Sequence, residues 1–262
     1  MPYIMSRPKK PNTIQKQVKA TPSWQLVGPS YHLALKNYEA IAFLFFIPAL
    51  FQILGGYYLG SLLNINSKNH TIHLSTLTPR EELGLALLIV WLVLSIINFA
   101  PSIFLRIHGA DAKAPSVTTC YREGFKVFWK VLFSELVFLV IVSLGFIALI
   151  LPGLLLFRRY VFAPYYAAQN PQLSIKEIFK LSSLQSSKFI YDIYGAYLVV
   201  LIISLLASAA FGGYLIGEVA VALITYSVLF VPALRYLEIV KYYKTHSISS
   251  TFNSGKTQPE HP

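Results

Sequence analysis

Two adjacent arginines, Arg158 and Arg159, interrupt an otherwise largely apolar stretch, LILPGLLLFRRYVFAPYYAA, at residues 149–168. A guanidinium group is permanently charged, and its planar set of donors suits carboxylates and phosphates. If the stretch lies in a bilayer, each charge costs about 2.5–3.5 kcal/mol on insertion scales unless a partner or water receives it. These residue types therefore predict ion pairing or anion contact inside a membrane.

Two carboxylates in other apolar stretches are the candidate partners of this pair. Arg158 lies six residues after the proline of a Pro-Gly turn, and Glu218 lies five residues after the second glycine of a Gly-Gly turn. Helical rise places both about 9 Å or less from the same outer face. We predict that Arg158 or Arg159 pairs with Glu218, and that Glu135, which enters from the inner side, is the second candidate. The pair could act as a packing pin between helices, contact a substrate or ion, or snorkel to water.

The sequence holds no constellation for catalysis or metal binding. The histidines are scattered through loops and tails, and His70 and His73 share a loop without a carboxylate or thiol beside them. The motifs of metalloproteases, α/β-hydrolases, P-loops and dinucleotide sites are missing from suitable contexts. The single cysteine, Cys120, excludes an internal disulfide and a cysteine-based zinc cluster. We therefore expect no catalytic residue, no cofactor and no metal, and a protein that is not an enzyme.

The elements that must position the charges are long apolar runs. The chain is 55% hydrophobic and only 13% charged, with a mean hydropathy of +0.56, whereas an ordinary globular domain has about 25% charged residues. Runs of about 20 apolar residues match the roughly 30 Å hydrocarbon core. We predict an all-α polytopic membrane protein with six transmembrane helices, at residues 38–62, 83–107, 131–151, 154–168, 189–211 and 214–239.

A threefold repeat groups these spans. The sequence Phe-x-Pro recurs near the inner end of the second, fourth and sixth spans, with the prolines Pro101, Pro164 and Pro232. Each pair of spans follows a short amphipathic segment. These segments lie at 24–36, 121–130 and 174–188. The spacing predicts three hairpins, each preceded by a short cytoplasmic amphipathic helix.

Local signals fix some of the helix ends. Tight turns are expected at Pro152-Gly153 and at Gly212-Gly213, because proline and glycine end one helix and allow the next to begin. In the third amphipathic segment, Ser174-Ile175-Lys176-Glu177 matches a capping box, which predicts a helix starting there.

The distribution of lysine and arginine orients the chain. With both termini cytoplasmic, the outer loops contain only Lys68 and Arg80, and all other basic residues outside the Arg158–Arg159 pair are on the inner side. The net charge of +11 therefore suits anionic membrane lipids at the cytoplasmic face rather than nucleic acid. We predict a plasma membrane protein without a signal peptide, with a disordered basic tail at 1–22, a transmembrane domain at 23–243 and a disordered tail at 244–262. Protein partners are not specified.

Four short motifs resemble a known family. They are LPG at 151–153, RRY at 158–160, APY at 163–165 and NPQLS at 170–174. In this order they resemble bacterial six-helix membrane proteins, which include the membrane domain attached to some glycerophosphodiester phosphodiesterases. The resemblance covers about residues 145–190 and is only architectural elsewhere. It implies an integral membrane protein without the phosphodiesterase chemistry, which belongs to a separate soluble domain.

Three functions remain open at this point. The first is a non-catalytic membrane scaffold that organises lipids or proteins. The second is a transporter of a small solute, an ion or a lipid, with Arg158, Arg159, Glu218, Glu135 and Asn98 as its intramembrane polar residues. The third is a membrane domain that partners a lipid-acting enzyme.

Overall fold

A computed structural model describes residues 20–63, 78–110, 114–212 and 214–254. All regular elements in these ranges are helices, so the predicted all-α class is confirmed. Most of the predicted basic tail at 1–22, together with His70, His73 and Gly213, lies outside the described residues.

The described residues form a series of helices. In chain order they are a 3-10 turn Ser23–Leu26, α1 Val27–Lys36, α2 Tyr38–Ile41, a π-helical segment Ala42–Phe46, α3 Ile47–Leu63, α4 Pro79–Ala110, α5 Val117–Ala148, α6 Ile150–Tyr160, α7 Ala163–Gln169, α8 Ile175–Ser186, α9 Ile190–Phe211, α10 Leu215–Ser227 and α11 Val231–Ser254. Helix α4 packs against α3 and α5, α6 packs against α5 and α8, and α10 packs against α9 and α3.

Five stretches of the described residues are long and apolar enough to cross a membrane. They are Tyr38–Leu59, Pro79–Ala110, Val117–Ala148, Ile190–Phe211 and Leu215–Thr245. Large apolar side chains on them face outward, for example Ile89, Leu92 and Leu139, which are each about half exposed. Such a surface matches lipid better than water. The expected span at 154–168 is divided between α6 and α7, and neither piece is long enough to cross alone.

Helix α5 is one continuous helix and not a surface helix followed by a span. The expected break near residue 130 is missing because the segment contains no proline and its one glycine, Gly124, serves close packing. A Cβ atom at Gly124 would lie 2.6 Å from the backbone nitrogen of Pro101. Gly124 thus lets α4 and α5 approach each other where a larger side chain would separate them.

The expected turn at Pro152-Gly153 lies a few residues earlier in the structure. Helix α5 ends at Ala148, Leu149 is extended with φ −169° and ψ 154°, and Pro152 and Gly153 are in the first turn of α6. The physical reason is that proline lacks the N–H that a first helical turn leaves unused, so it starts a helix more readily than it ends one. Gly212 ends α9 in an extended conformation, as expected.

The three Phe-x-Pro prolines have different local roles. Pro101 lies inside α4, which continues through it. Pro164 lies in the first turn of α7, and Pro232 lies in the first turn of α11, each after a helix break. The residues around all three pack in the core, where Ala100, Phe162 and Phe230 are completely buried.

The C-terminal helix extends further than expected. Helix α11 runs to Ser254, past residue 244, where we expected a disordered tail to begin.

Candidate functional site

The π-helical segment before α3 is explained by a proline and an asparagine. Pro48 has no N–H, so the carbonyl of Leu44 loses its normal helical donor. The Asn98 side chain on α4 replaces it, because Nδ2 donates to the carbonyl of Leu44 at 3.2 Å and to that of Phe43 at 3.4 Å. The Asn98 Oδ1 accepts from the hydroxyl of Tyr121 at 2.5 Å. Asn98, which we expected among the polar residues of a transport path, therefore forms hydrogen bonds with backbone carbonyls of the neighbouring π-helical segment.

Arg106 lies two helical turns beyond Asn98 on the same helix. Its guanidinium carbon lies 5.3 Å from the centre of the Phe45 ring, a cation–π contact. Its Nε atom is buried without a hydrogen-bond partner. None of the ion pairs within 4.0 Å between described side chains includes Arg106.

A polar cavity of about 200 Å³ adjoins this guanidinium. Its polar lining residues are Arg106, Ser95, Asn98, Ser102 and Tyr226. The remaining lining comes from the π-helical segment, the start of α3 and Trp91 and Phe99 of α4. A cavity of this kind, with hydroxyl groups and a cation, favours water or a polar ligand.

Glu135 experiences the charge of Arg106 and not that of the predicted arginine pair. Arg106 on α4 is near enough for its charge to interact with the Glu135 carboxyl, although the two are not within 4.0 Å of each other. The Tyr197 hydroxyl lies near enough to interact electrostatically with both Arg106 and Glu135. The second candidate pairing, of Glu135 with Arg158 or Arg159, is thus replaced by a longer-range contact with an arginine on α4.

The arginine pair itself lies on α6, which packs against α5 and α8. Arg158 is 8% exposed, and its Nε has no hydrogen-bond partner. Arg159 is exposed, and its backbone carbonyl accepts a hydrogen bond from the Ser182 hydroxyl at 2.8 Å. The ion pairs between described side chains do not include a pairing of either arginine with Glu218.

Glu218 lies instead at a larger cavity between α3 and α10. This cavity has a volume of about 500 Å³, and Gln52, Tyr57 and Thr225 are among its polar lining residues. Equal distance from a turn does not by itself place two residues on facing sides of their helices. Helix α6, which carries the arginines, packs mainly on α5 and α8, whereas α10 packs on α9 and α3.

Sequence reasoning missed the most buried charge of the described residues. The side chain of Arg235 on α11 is completely buried. Its Nη1 donates to Glu238 at 2.5 Å and lies 4.0 Å from Asp192 at the start of α9. Its Nη2 donates to the Ser23 hydroxyl at 3.2 Å and to the backbone carbonyl of Thr21. The available signal was the Arg-x-x-Glu spacing inside an apolar run, where a charge needs a partner.

The capping box on α8 is confirmed. The Ser174 hydroxyl accepts from the backbone N–H of Glu177 at 3.3 Å, and the Glu177 carboxylate accepts from the Ser174 backbone N–H at 2.8 Å. The hydrogen bonds from Ser174 hold the pKa of Glu177 below its usual value, because they favour the charged carboxylate.

These observations define a class: an all-α chain with five helices that are long and apolar enough to span a membrane. Comparisons of the chain with protein-family models, with curated proteins and with solved structures give no match. The resemblance to the membrane domain of glycerophosphodiester phosphodiesterases therefore stays a prediction, as does partnership with a lipid-acting enzyme.

Proposed function

We propose that the protein is a non-catalytic scaffold of the plasma membrane that organises anionic lipid at its cytoplasmic face. In this proposal the chain crosses the membrane six times as three hairpins, with both termini inside. The fourth crossing is made by α6 and α7 together, since residues 150–169 would cover about 30 Å at helical rise. The amphipathic segments at 24–36 and 174–188 lie at the inner surface, and the N-terminal part of α5 takes this place before the second hairpin.

The observation that supports the scaffold proposal most directly is the set of contacts that the buried Arg235 side chain makes. Its guanidinium contacts the segment before α1, the start of α9 and its own helix α11, through Ser23, Asp192 and Glu238. A buried cation whose partners come from three elements holds these elements together. Because both of its Nη atoms donate to protein groups, it does not contact a transported solute. This arrangement favours a rigid bundle.

Lipid enrichment tests the scaffold proposal. The protein is reconstituted in vesicles of phosphatidylcholine with a minor fraction of fluorescent phosphatidylglycerol, and lipid near the protein is measured by energy transfer from its tryptophans. The exposed Lys176 and Lys180 of α8 are replaced together by glutamine. We expect local enrichment of phosphatidylglycerol that falls in this variant and persists in the control Arg80→Gln, at the start of α4. Absence of enrichment in the parent protein would contradict the proposal.

A second candidate function is transport, and one observation favours it. The cavity beside Arg106 and the cavity beside Glu218 share the lining residues Ala49 and Tyr226. Together they form a series of polar side chains along α3, α4 and α10. A passage for a small solute or ion could use this series, with Arg106 in the role that the Arg158–Arg159 pair was expected to have.

Cysteine labelling tests for such a passage. Cys120 is the single cysteine of the chain and is completely buried, so the parent protein gives a low background. Cysteine is introduced at Gln52, Thr225 or Ser95, and a membrane-impermeant thiol reagent is added from outside. Labelling that proceeds from Gln52 to Ser95 supports a continuous aqueous path, and labelling of Gln52→Cys alone indicates two separate cavities.

A further inference from the structure

We propose that the cavity beside Arg106 is a binding site for a phosphate-type oxyanion, either a free anion or the headgroup of a lipid. This inference does not depend on the scaffold role, because it concerns a cavity inside the bundle and not the basic inner surface.

The first argument is the unbalanced charge. Arg106 lies in a helix that can span the membrane, and no carboxylate among the described residues lies within 4.0 Å of it. The guanidinium carbon lies over the Phe45 ring at 5.3 Å, a contact that uses none of the N–H donors in a hydrogen bond. A cation in this setting needs water or an anion, and a planar fork of donors matches the oxygens of a phosphate group.

The second argument is the set of donors around the cavity. The Nε of Arg106 is buried and has no partner. Ser95 and Tyr226 also line the cavity, and the hydroxyl of neither makes a hydrogen bond with another described residue. Asn98 and Ser102 are already engaged, since they donate to backbone carbonyls of Leu44 and Phe99. The available groups are therefore a cation and two hydroxyls, which suit an oxyanion.

The third argument is size and access. A volume of about 200 Å³ corresponds to about seven water molecules at roughly 30 Å³ each, which leaves room for a tetrahedral anion with some bound water. Arg106 lies four residues before the end of α4 at Ala110, about 6 Å along the helix. In the proposed orientation this is the cytoplasmic end, where both free phosphate and lipid headgroups are present.

Among the described residues, Glu135 is the acidic group whose charge opposes anion binding at this site. The Arg106 charge acts on the Glu135 carboxyl beyond ion-pair distance. If Glu135 is ionised it weakens anion binding, so the change Glu135→Gln should tighten the affinity for phosphate. A weaker affinity in this variant would show that the carboxyl belongs to the binding groups and would contradict the assignment.

Calorimetric titration of the detergent-purified full chain tests the proposal. The ligands are inorganic phosphate and dihexanoyl phosphatidic acid, and dihexanoylglycerol serves as the control that lacks a phosphate group. We expect saturable binding of one or both phosphate ligands at one site per chain. Binding of inorganic phosphate identifies the free anion, whereas binding of phosphatidic acid alone identifies a lipid headgroup. Absence of saturable binding for both would overturn the proposal.

Variants connect the binding to this cavity. The change Arg106→Ala should weaken binding about 100-fold or more, because it removes the charge and several charge-assisted hydrogen bonds. The matched control Arg122→Ala removes an exposed arginine of α5 and should leave the affinity unchanged. If Arg106→Ala does not purify as a monodisperse protein, the pair Ser95→Ala and Tyr226→Phe keeps the charge and should weaken binding about tenfold. Unchanged affinity in that double variant would overturn the assignment.

Discussion

Arg235 and Glu238 form an ion pair of 2.5 Å in which the arginine side chain is completely buried and the glutamate side chain is about one third exposed. The pair lies on one face of α11 at i and i+3 spacing. Through Arg235 it also reaches Asp192 and the segment that precedes α1. Residues far apart in sequence are thus fixed to each other by one guanidinium group.

Removal of this guanidinium should destabilise the bundle. The change Arg235→Ala leaves Glu238 and Asp192 without their cation, and we expect a loss of about 3 kcal/mol, the lower end for a broken buried pair because both carboxylates are partly exposed. The control Arg122→Ala removes a surface pair and should cost about 1 kcal/mol or less. Unfolding by denaturing detergent, followed by circular dichroism, measures both. Equal stabilities of the two variants would show that Arg235 does not stabilise the contacts between these helices.

The dependence of the π-helical segment on Asn98 can be tested by a double-mutant cycle. The change Asn98→Leu leaves the Leu44 carbonyl without a donor and should cost about 1–2 kcal/mol. The change Pro48→Ala restores a backbone N–H that can bond to the same carbonyl. We therefore expect Asn98→Leu to cost less in the Pro48→Ala background. Additive effects in the same unfolding assay would mean that the proline and the asparagine are not coupled.

The close approach of α5 and α6 predicts a steric effect at a glycine. A Cβ atom at Gly153 would lie 2.5 Å from the ring of Phe146, so Gly153→Ala should destabilise the protein by about 1–3 kcal/mol through overpacking. The matched control is Gly56→Ala in α3, where a Cβ atom meets nothing within 4 Å. This control should be neutral or slightly stabilising, because alanine has a higher helix propensity than glycine. Thermal unfolding in detergent distinguishes the two outcomes.

The capping box predicts a pH dependence at the start of α8. Because the folded pKa of Glu177 is lowered, its stabilising effect is present above the unfolded pKa of about 4.3 and is lost as the pH falls through the folded pKa. Amide exchange in the first turn of α8, corrected for the intrinsic rate, should therefore accelerate below about pH 4.3. In Ser174→Ala this pH dependence should be reduced. A parent protein with pH-independent protection of this turn would contradict the assignment.

Local features of the fold, such as helix starts, could be predicted from the sequence. Which helices pack together, and which residues therefore face each other, could not. The helix start at Ser174 was predictable because the capping box involves residues three apart. The depth of Arg158 and Glu218 follows from their distance to a turn. Their direction does not, because it depends on which helices pack together, and α6 and α10 have different neighbours.

The surroundings of Arg106 and Arg235 could not be predicted from the sequence either. Counting basic residues by loop assigns Arg106 and Arg235 to the inner side of the membrane, where such residues are common. The structure places Arg235 in the core and Arg106 at a polar cavity. Distinguishing them from solvated arginines requires the positions of Glu238 and Ser95 in space, which a count by segment does not contain.

The six-crossing topology is tested most directly by inserting a reporter into the connection between α7 and α8, after Asn170. Alkaline phosphatase is active only outside the cytoplasmic membrane of a bacterial host, and a fluorescent protein inserted at the same place reports the inside. If α6 and α7 together cross the bilayer, the phosphatase insertion after Asn170 is inactive, the fluorescent insertion is bright, and phosphatase inserted after Leu149 is active. Active phosphatase after Asn170 would mean that α6 and α7 do not cross, and it would contradict the proposed topology.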